Sequence, residues 1–92
     1  MKTLELSESF RAAVRRYPKE TRGKIGKALE GVQNDFGHPH RHCGLGVRKL
    51  SQTWFEIRVG LGIRLIFQNR LESLLFVMAG NHDEVRKFLR GH

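Results

Sequence analysis

Apolar residues fall at alternate positions in two adjoining stretches: Phe55, Ile57 and Val59, then Ile63, Leu65 and Phe67. This period of two predicts a β-hairpin with one apolar face, and it leaves Glu56, Arg58 and Arg64 on the other. The loop Gly60-Leu61-Gly62 fits a type I turn closed by a left-handed residue at Gly62, so that Val59 faces Ile63. In that register Arg58 lies opposite Arg64, while Glu56 faces Ile66 and is diagonal to Arg64. Upstream, Leu4 and Leu6 alternate with Thr3 and Glu5, which predicts a short edge strand within residues 1–6. Ser7 or Ser9 caps a helix running to about Tyr17, with Phe10, Ala13, Val14 and Tyr17 on its apolar side. Pro18 ends that helix and opens a second, from about Lys19 to Asp35, which buries Ile25, Ala28, Leu29, Val32 and Phe36. Gly23 and Gly26 weaken it or allow close packing. After Gly37 comes a loop, then a strand over Gly46 to Leu50, a turn at 51–53, the hairpin, and a turn at 69–72. Leu74 to Ala79 is apolar at every position, as in a strand covered on both faces and interior to the sheet. Asn81 caps a last helix from His82 to about Arg90, with Glu84 completing the cap and Val85, Phe88 and Leu89 as its apolar stripe.

Composition narrows the class of protein. A chain of 92 residues with 39% hydrophobic and 28% charged residues is expected to form one globular domain over residues 1–92. Seventeen Lys plus Arg against nine Asp plus Glu give a formal charge of +8, which favours a polyanion or an acidic protein as partner. No apolar run approaches the roughly 20 residues of a membrane span, and the start lacks a signal-like apolar core, so the cytoplasm is the expected location. Cys43 is the single cysteine, which excludes an intrachain disulfide framework.

The polar face of the hairpin carries the candidate chemistry. Opposed arginines repel unless an anion lies between or above them; Glu56 neutralises one, and the other invites an external anion such as a phosphate. Arg48, Lys49, Arg58 and Arg64 are expected to converge on three neighbouring strands and grip a nucleic-acid backbone, in preference to forming an ordinary solvated sheet face. Trp54 is read as a packing residue, whereas Phe88 suits packing and base stacking equally. His38, His40, His42 and Cys43 have ligand-type side chains, but their spacing matches no standard zinc pattern, so they are read as a solvated basic loop. His82 gains a role only if the sheet brings it near Arg58 and Arg64.

With these residues in place, the chain resembles the RelE/ParE toxin superfamily of type II toxin–antitoxin systems. The resemblance rests on two N-terminal helices followed by Gly-Val-Arg-Lys-Leu (46–50), Phe-Glu-Ile-Arg-Val (55–59), Arg-Leu-Ile-Phe (64–67) and Gly-Asn-His-Asp-Glu-Val (80–85). It implies an α+β fold: a twisted antiparallel β-sheet with an N-terminal helical hairpin on one face and a short C-terminal helix. For the favoured RelE-like branch it implies an endoribonuclease that cleaves mRNA on the ribosome without metal or cofactor. Arg64 then matches the arginine that contacts the scissile phosphate, Arg58 a strand lysine, and His82 the general acid. Glu56 replaces another lysine, which makes a carboxylate the expected general base. Phe88 takes the place of a stacking tyrosine, and Arg48, Lys49 and Arg86 are added as RNA contacts. The implied partners are an acidic antitoxin, mRNA, the 70S ribosome and operator DNA through the antitoxin complex. A ParE-like gyrase inhibitor and an inactive, antitoxin-binding member are the alternatives.

Overall fold

Period-two alternation and three helical stripes give eight elements in a computed structural model that describes residues 2–37 and 46–91. Strand β1 (Thr3–Leu6) is followed by helices α1 (Glu8–Arg15) and α2 (Lys19–Asp35). Strands β2 (Val47–Lys49), β3 (Trp54–Val59), β4 (Ile63–Asn69) and β5 (Ser73–Gly80) then lead into α3 (His82–Arg90). The sheet order is β1-β5-β4-β3-β2. Four strands pair antiparallel as expected, and β1 joins β5 in parallel because the helical hairpin carries the chain away from the sheet before it returns. The sheet is therefore mixed, with β1 at its edge and the apolar β5 inside.

The core lies between the sheet and the hairpin. Phe10, Ala13, Ile25 and Val32 of the helices pack on Ile57, Val59, Leu65, Phe67, Leu74, Phe76 and Ala79. Stacked rings run across three strands, with centroids 5.6 Å apart for Phe55 and Phe67 and 4.8 Å for Phe67 and Phe76. Phe36, at the end of α2, meets Phe55 and Phe67 edge-on, which fixes the helix over the hairpin. The opposite face is covered by α3, which packs across β4 and β5. Ile66, turned to that side by the pleat, and Val85 are both buried.

Two local features depart from the expected pattern. The left-handed residue of the β3–β4 turn is Gly60, with φ +64°, not Gly62. The chain reverses as soon as it leaves Val59 and re-enters β4 with ordinary backbone angles, and the Val59–Ile63 pairing is the one expected. In β5, Phe76 faces Phe67 and Met78 faces Ile66, so Val77 is an extra, bulged residue. The bulge shifts the alternation by one: Leu74 and Phe76 face the core before it, Ala79 after it, and Gly80 comes opposite Arg64. Both candidate cap serines are used. Ser7 Oγ accepts from Phe10 N at 3.1 Å, while Ser9 Oγ donates to the bulged Val77 carbonyl at 3.0 Å.

Gly23 and Gly26 lie on the exposed side of α2, and a Cβ at either would meet nothing within 4 Å. Neither glycine serves close packing, so only its helix cost remains. Gly23→Ala and Gly26→Ala are each expected to raise stability by about 0.5–1 kcal/mol in urea denaturation. A loss of stability in either variant would show that the glycine serves a contact.

Candidate functional site

Strand pairing assembles the site from three elements. Arg58 on β3 pairs with Arg64 on β4, and Arg64 pairs with Gly80 at the end of β5. Residues directly across a pair share a face, so both arginines stand on the side that α3 covers. His82, exposed, begins α3 two residues beyond Gly80. The sheet thus brings Arg58, Arg64 and the start of α3 to one end of one face.

The turn from β5 into α3 is tightly built. Asn81 Oδ1 accepts from Glu84 N at 2.8 Å, and Glu84 returns an oxygen to Asn81 N at 2.9 Å. This is the reciprocal cap that Asn81 and Glu84 predict. A side chain at Gly80 would be crowded: a Cβ there would stand 3.0 Å from Glu84 Cβ, which would have to give by a few tenths of an ångström. The first turn of α3 therefore rests directly on the strand end, which locates His82.

Charge within the site is unequal. Arg64 Nη1 donates to both carboxylate oxygens of Glu56, each at 3.2 Å. Glu56 is only 3% exposed and the Arg64 side chain 21%. Arg58 is exposed and forms no ion pair among the described residues. The carboxylate is thus spent on one guanidinium and the second cation faces solvent. The carboxylate expected as general base is thus buried, with both oxygens held by Arg64, an arrangement suited to orienting that arginine.

The remaining candidates divide. Arg48 pairs with Glu56 and shares the arginine face, exposed on the edge strand β2. Lys49 pairs with Phe55, whose ring belongs to the core side. Lys49 therefore does not join the arginines, because alternation along β2 turns neighbouring residues to opposite faces. Arg86 is exposed one helical turn after His82, on the same side of α3. Phe88 meets Trp54 edge to face, with centroids 6.1 Å apart and planes at 75°, so packing already engages the ring expected to stack on a base. The loop with His38, His40, His42 and Cys43 lies outside the described residues, and among those described no group of three His, Cys, Asp or Glu is arranged to hold a metal. No helix among them is long and apolar enough to cross a membrane.

Tyr17, expected only as a core residue, has an electrostatic link to the start of α3. Burial raises its phenol above the ordinary 10.0 and the Glu84 carboxylate raises it further, while Arg16 pulls it down. The unfolded chain loses this proton first, so the stability present in full below pH 10 falls as pH rises through the folded value. Tyr17 is the single tyrosine, so tyrosinate absorbance reads it directly. The expected midpoint lies above that of the unfolded chain and moves down in Glu84→Gln; an unmoved midpoint would rule out the link.

No protein-family model matches the chain, and no curated protein matches it by sequence. Solved structures do match it. The RelB-RelE antitoxin-toxin complex from Methanococcus jannaschii contains a chain that superposes with a TM-score of 0.72 at 16% identity, over 91% of this chain and 96% of that one. YafQ from E. coli superposes with a TM-score of 0.69 at 18% identity, over 92% and 98%. The isolated E. coli RelE toxin does so with 0.69 at 14% identity, over the full length of both. The chain has the fold of the RelE-like toxins.

Proposed function

We propose that the protein is a RelE-like toxin of a type II toxin–antitoxin system, an endoribonuclease that cleaves mRNA by side-chain acid–base chemistry. The observation that carries this reading is the opposed arginine pair, in which Glu56 engages Arg64 and leaves Arg58 open to an external anion. A pure inhibitor has no need of a histidine at a helix start on the same face and at the same end of the sheet as paired cations. In the reaction the 2′-hydroxyl attacks phosphorus, its proton passing to solvent water at the open site, and the bond to the 5′-oxygen breaks, giving a 2′,3′-cyclic phosphate and a 5′-hydroxyl. Arg58 and Arg64 donate to the non-bridging oxygens as charge builds on the phosphorane. His82 gives its proton to the leaving 5′-oxygen. Glu56 holds the Arg64 guanidinium in place and is a positioning residue.

The fold shared with a toxin bound to its antitoxin supports an antitoxin partner, and the charge of +8 supports an acidic one. The arginines stand on an open sheet face, where a flexible message gains little orientation; a programmed ribosome supplies it. Cytoplasmic action follows from that substrate. The test is cleavage of a defined message with and without programmed ribosomes. Wild type is expected to cut only the ribosome-bound message and His82→Ala to leave it whole. Growth arrest with DNA-damage signalling and no cuts would overturn the reading in favour of gyrase inhibition.

A further inference from the structure

A hollow of about 220 Å³ lies between Leu50, Ser51, Trp54 and Leu89, on the same face as the arginines but nearer the other end of β3. It is below the roughly 300 Å³ at which sites for whole small molecules begin, and suits one flat ring system. Leu50 N donates to the Trp54 carbonyl at 2.8 Å, so these two residues sit side by side across the β2–β3 turn. Trp54, Glu56 and Arg58 follow one another along one face of β3, which places the Cα of Trp54 about 13 Å from that of Arg58. Arg48, opposite Glu56, stands exposed between them. Leu89 closes the hollow from the last turn of α3, and the edge-to-face contact with Phe88 fixes the indole.

We propose that this hollow seats a base of the same RNA strand whose phosphate is held at Arg58 and Arg64, with Arg48 on the intervening backbone. The inference rests on the RNA-cleaving reading and adds to it a base subsite. Single-stranded RNA is recognised by aromatic faces set along a cationic track, and a tryptophan in a shallow apolar recess, with Arg48 between it and the paired arginines, is such an arrangement. A neutral peptide side chain would use the apolar walls but not the arginines beside them, and an acidic peptide would use the arginines without a flat ring to fill the recess.

Trp54 is the single tryptophan, so its fluorescence reports occupancy directly. The probe is a short 2′-O-methyl oligoribonucleotide, which cannot be cleaved because the attacking hydroxyl is blocked. Binding is followed by anisotropy of a labelled end and, separately, by Trp54 emission. Wild type is expected to show both signals, and an oligomer with abasic positions only the first. Ser51→Phe, which fills the hollow from an exposed position, should weaken binding by about tenfold and abolish the emission change. Anisotropy binding with unchanged Trp54 emission, or equal affinity in Ser51→Phe, overturns the base subsite and leaves the phosphate site standing. Absence of binding by either signal, with no cleavage of ribosome-bound message, overturns both. A Trp54 response to an acidic peptide but not to RNA assigns the hollow to a protein partner and ends the proposal.

Discussion

Arg58→Ala is expected to lower cleavage of a ribosome-bound message by about 10²-fold or more while the fold stays intact. Removing one preorganised donor from a developing oxyanion typically costs that much. The stability expectation follows from the environment: Arg58 is exposed, lies opposite another arginine and has no ion-pair partner among the described residues. Its loss removes a repulsion and breaks no bond, so the unfolding free energy from urea denaturation should change by no more than about 0.5 kcal/mol. Full cleavage in Arg58→Ala would show that the outward-facing cation does not hold the phosphate.

Arg64→Ala should behave differently, losing both activity and stability. It leaves Glu56, 3% exposed, without the guanidinium that both of its oxygens contact. An uncompensated buried carboxylate of this kind costs about 2–3 kcal/mol, less than for a fully buried pair because Arg64 is itself 21% exposed. Adding Glu56→Gln to Arg64→Ala removes the charge and should restore much of the stability without restoring cleavage. Glu56→Gln alone separates the two roles of that residue. An amide oxygen still accepts from Nη1, so positioning predicts cleavage within about tenfold of wild type, whereas loss of a general base would cost 10²-fold or more. A collapse of activity in Glu56→Gln with normal stability would return the carboxylate to the chemistry.

The site is also less electropositive than the composition suggests. Arg11, Arg15, Arg16, Lys19, Arg22, Lys24 and Lys27 are exposed on or beside α1 and α2, the layer on the far side of the sheet. Net charge states an attraction to polyanions but does not say which face makes it. The pairing of Arg58 with Arg64 is therefore more informative than the total of +8.

Local pattern was enough to specify the β3–β4 register, the opposed arginines, the helical hairpin and the capped start of α3. Each depends on contacts between near neighbours: alternation across a three-residue turn, apolar stripes at helical spacing, and a side chain three residues from its backbone partner. The same turn arithmetic applied at 51–53 places Leu50 beside Trp54 and turns Lys49 to the core side, so that signal was present in the chain.

Tertiary structure alone decided the rest. The parallel docking of β1, the Val77 bulge that brings Gly80 opposite Arg64, and the seat of α3 on that glycine arise from segments far apart in sequence. The burial of Glu56 belongs with them, because whether a carboxylate faces solvent or an arginine depends on what covers the sheet. Sequence set which side chains share a strand face, since backbone geometry fixes that within a few residues. Only packing between distant elements set which of those side chains are buried, paired or left open to a ligand.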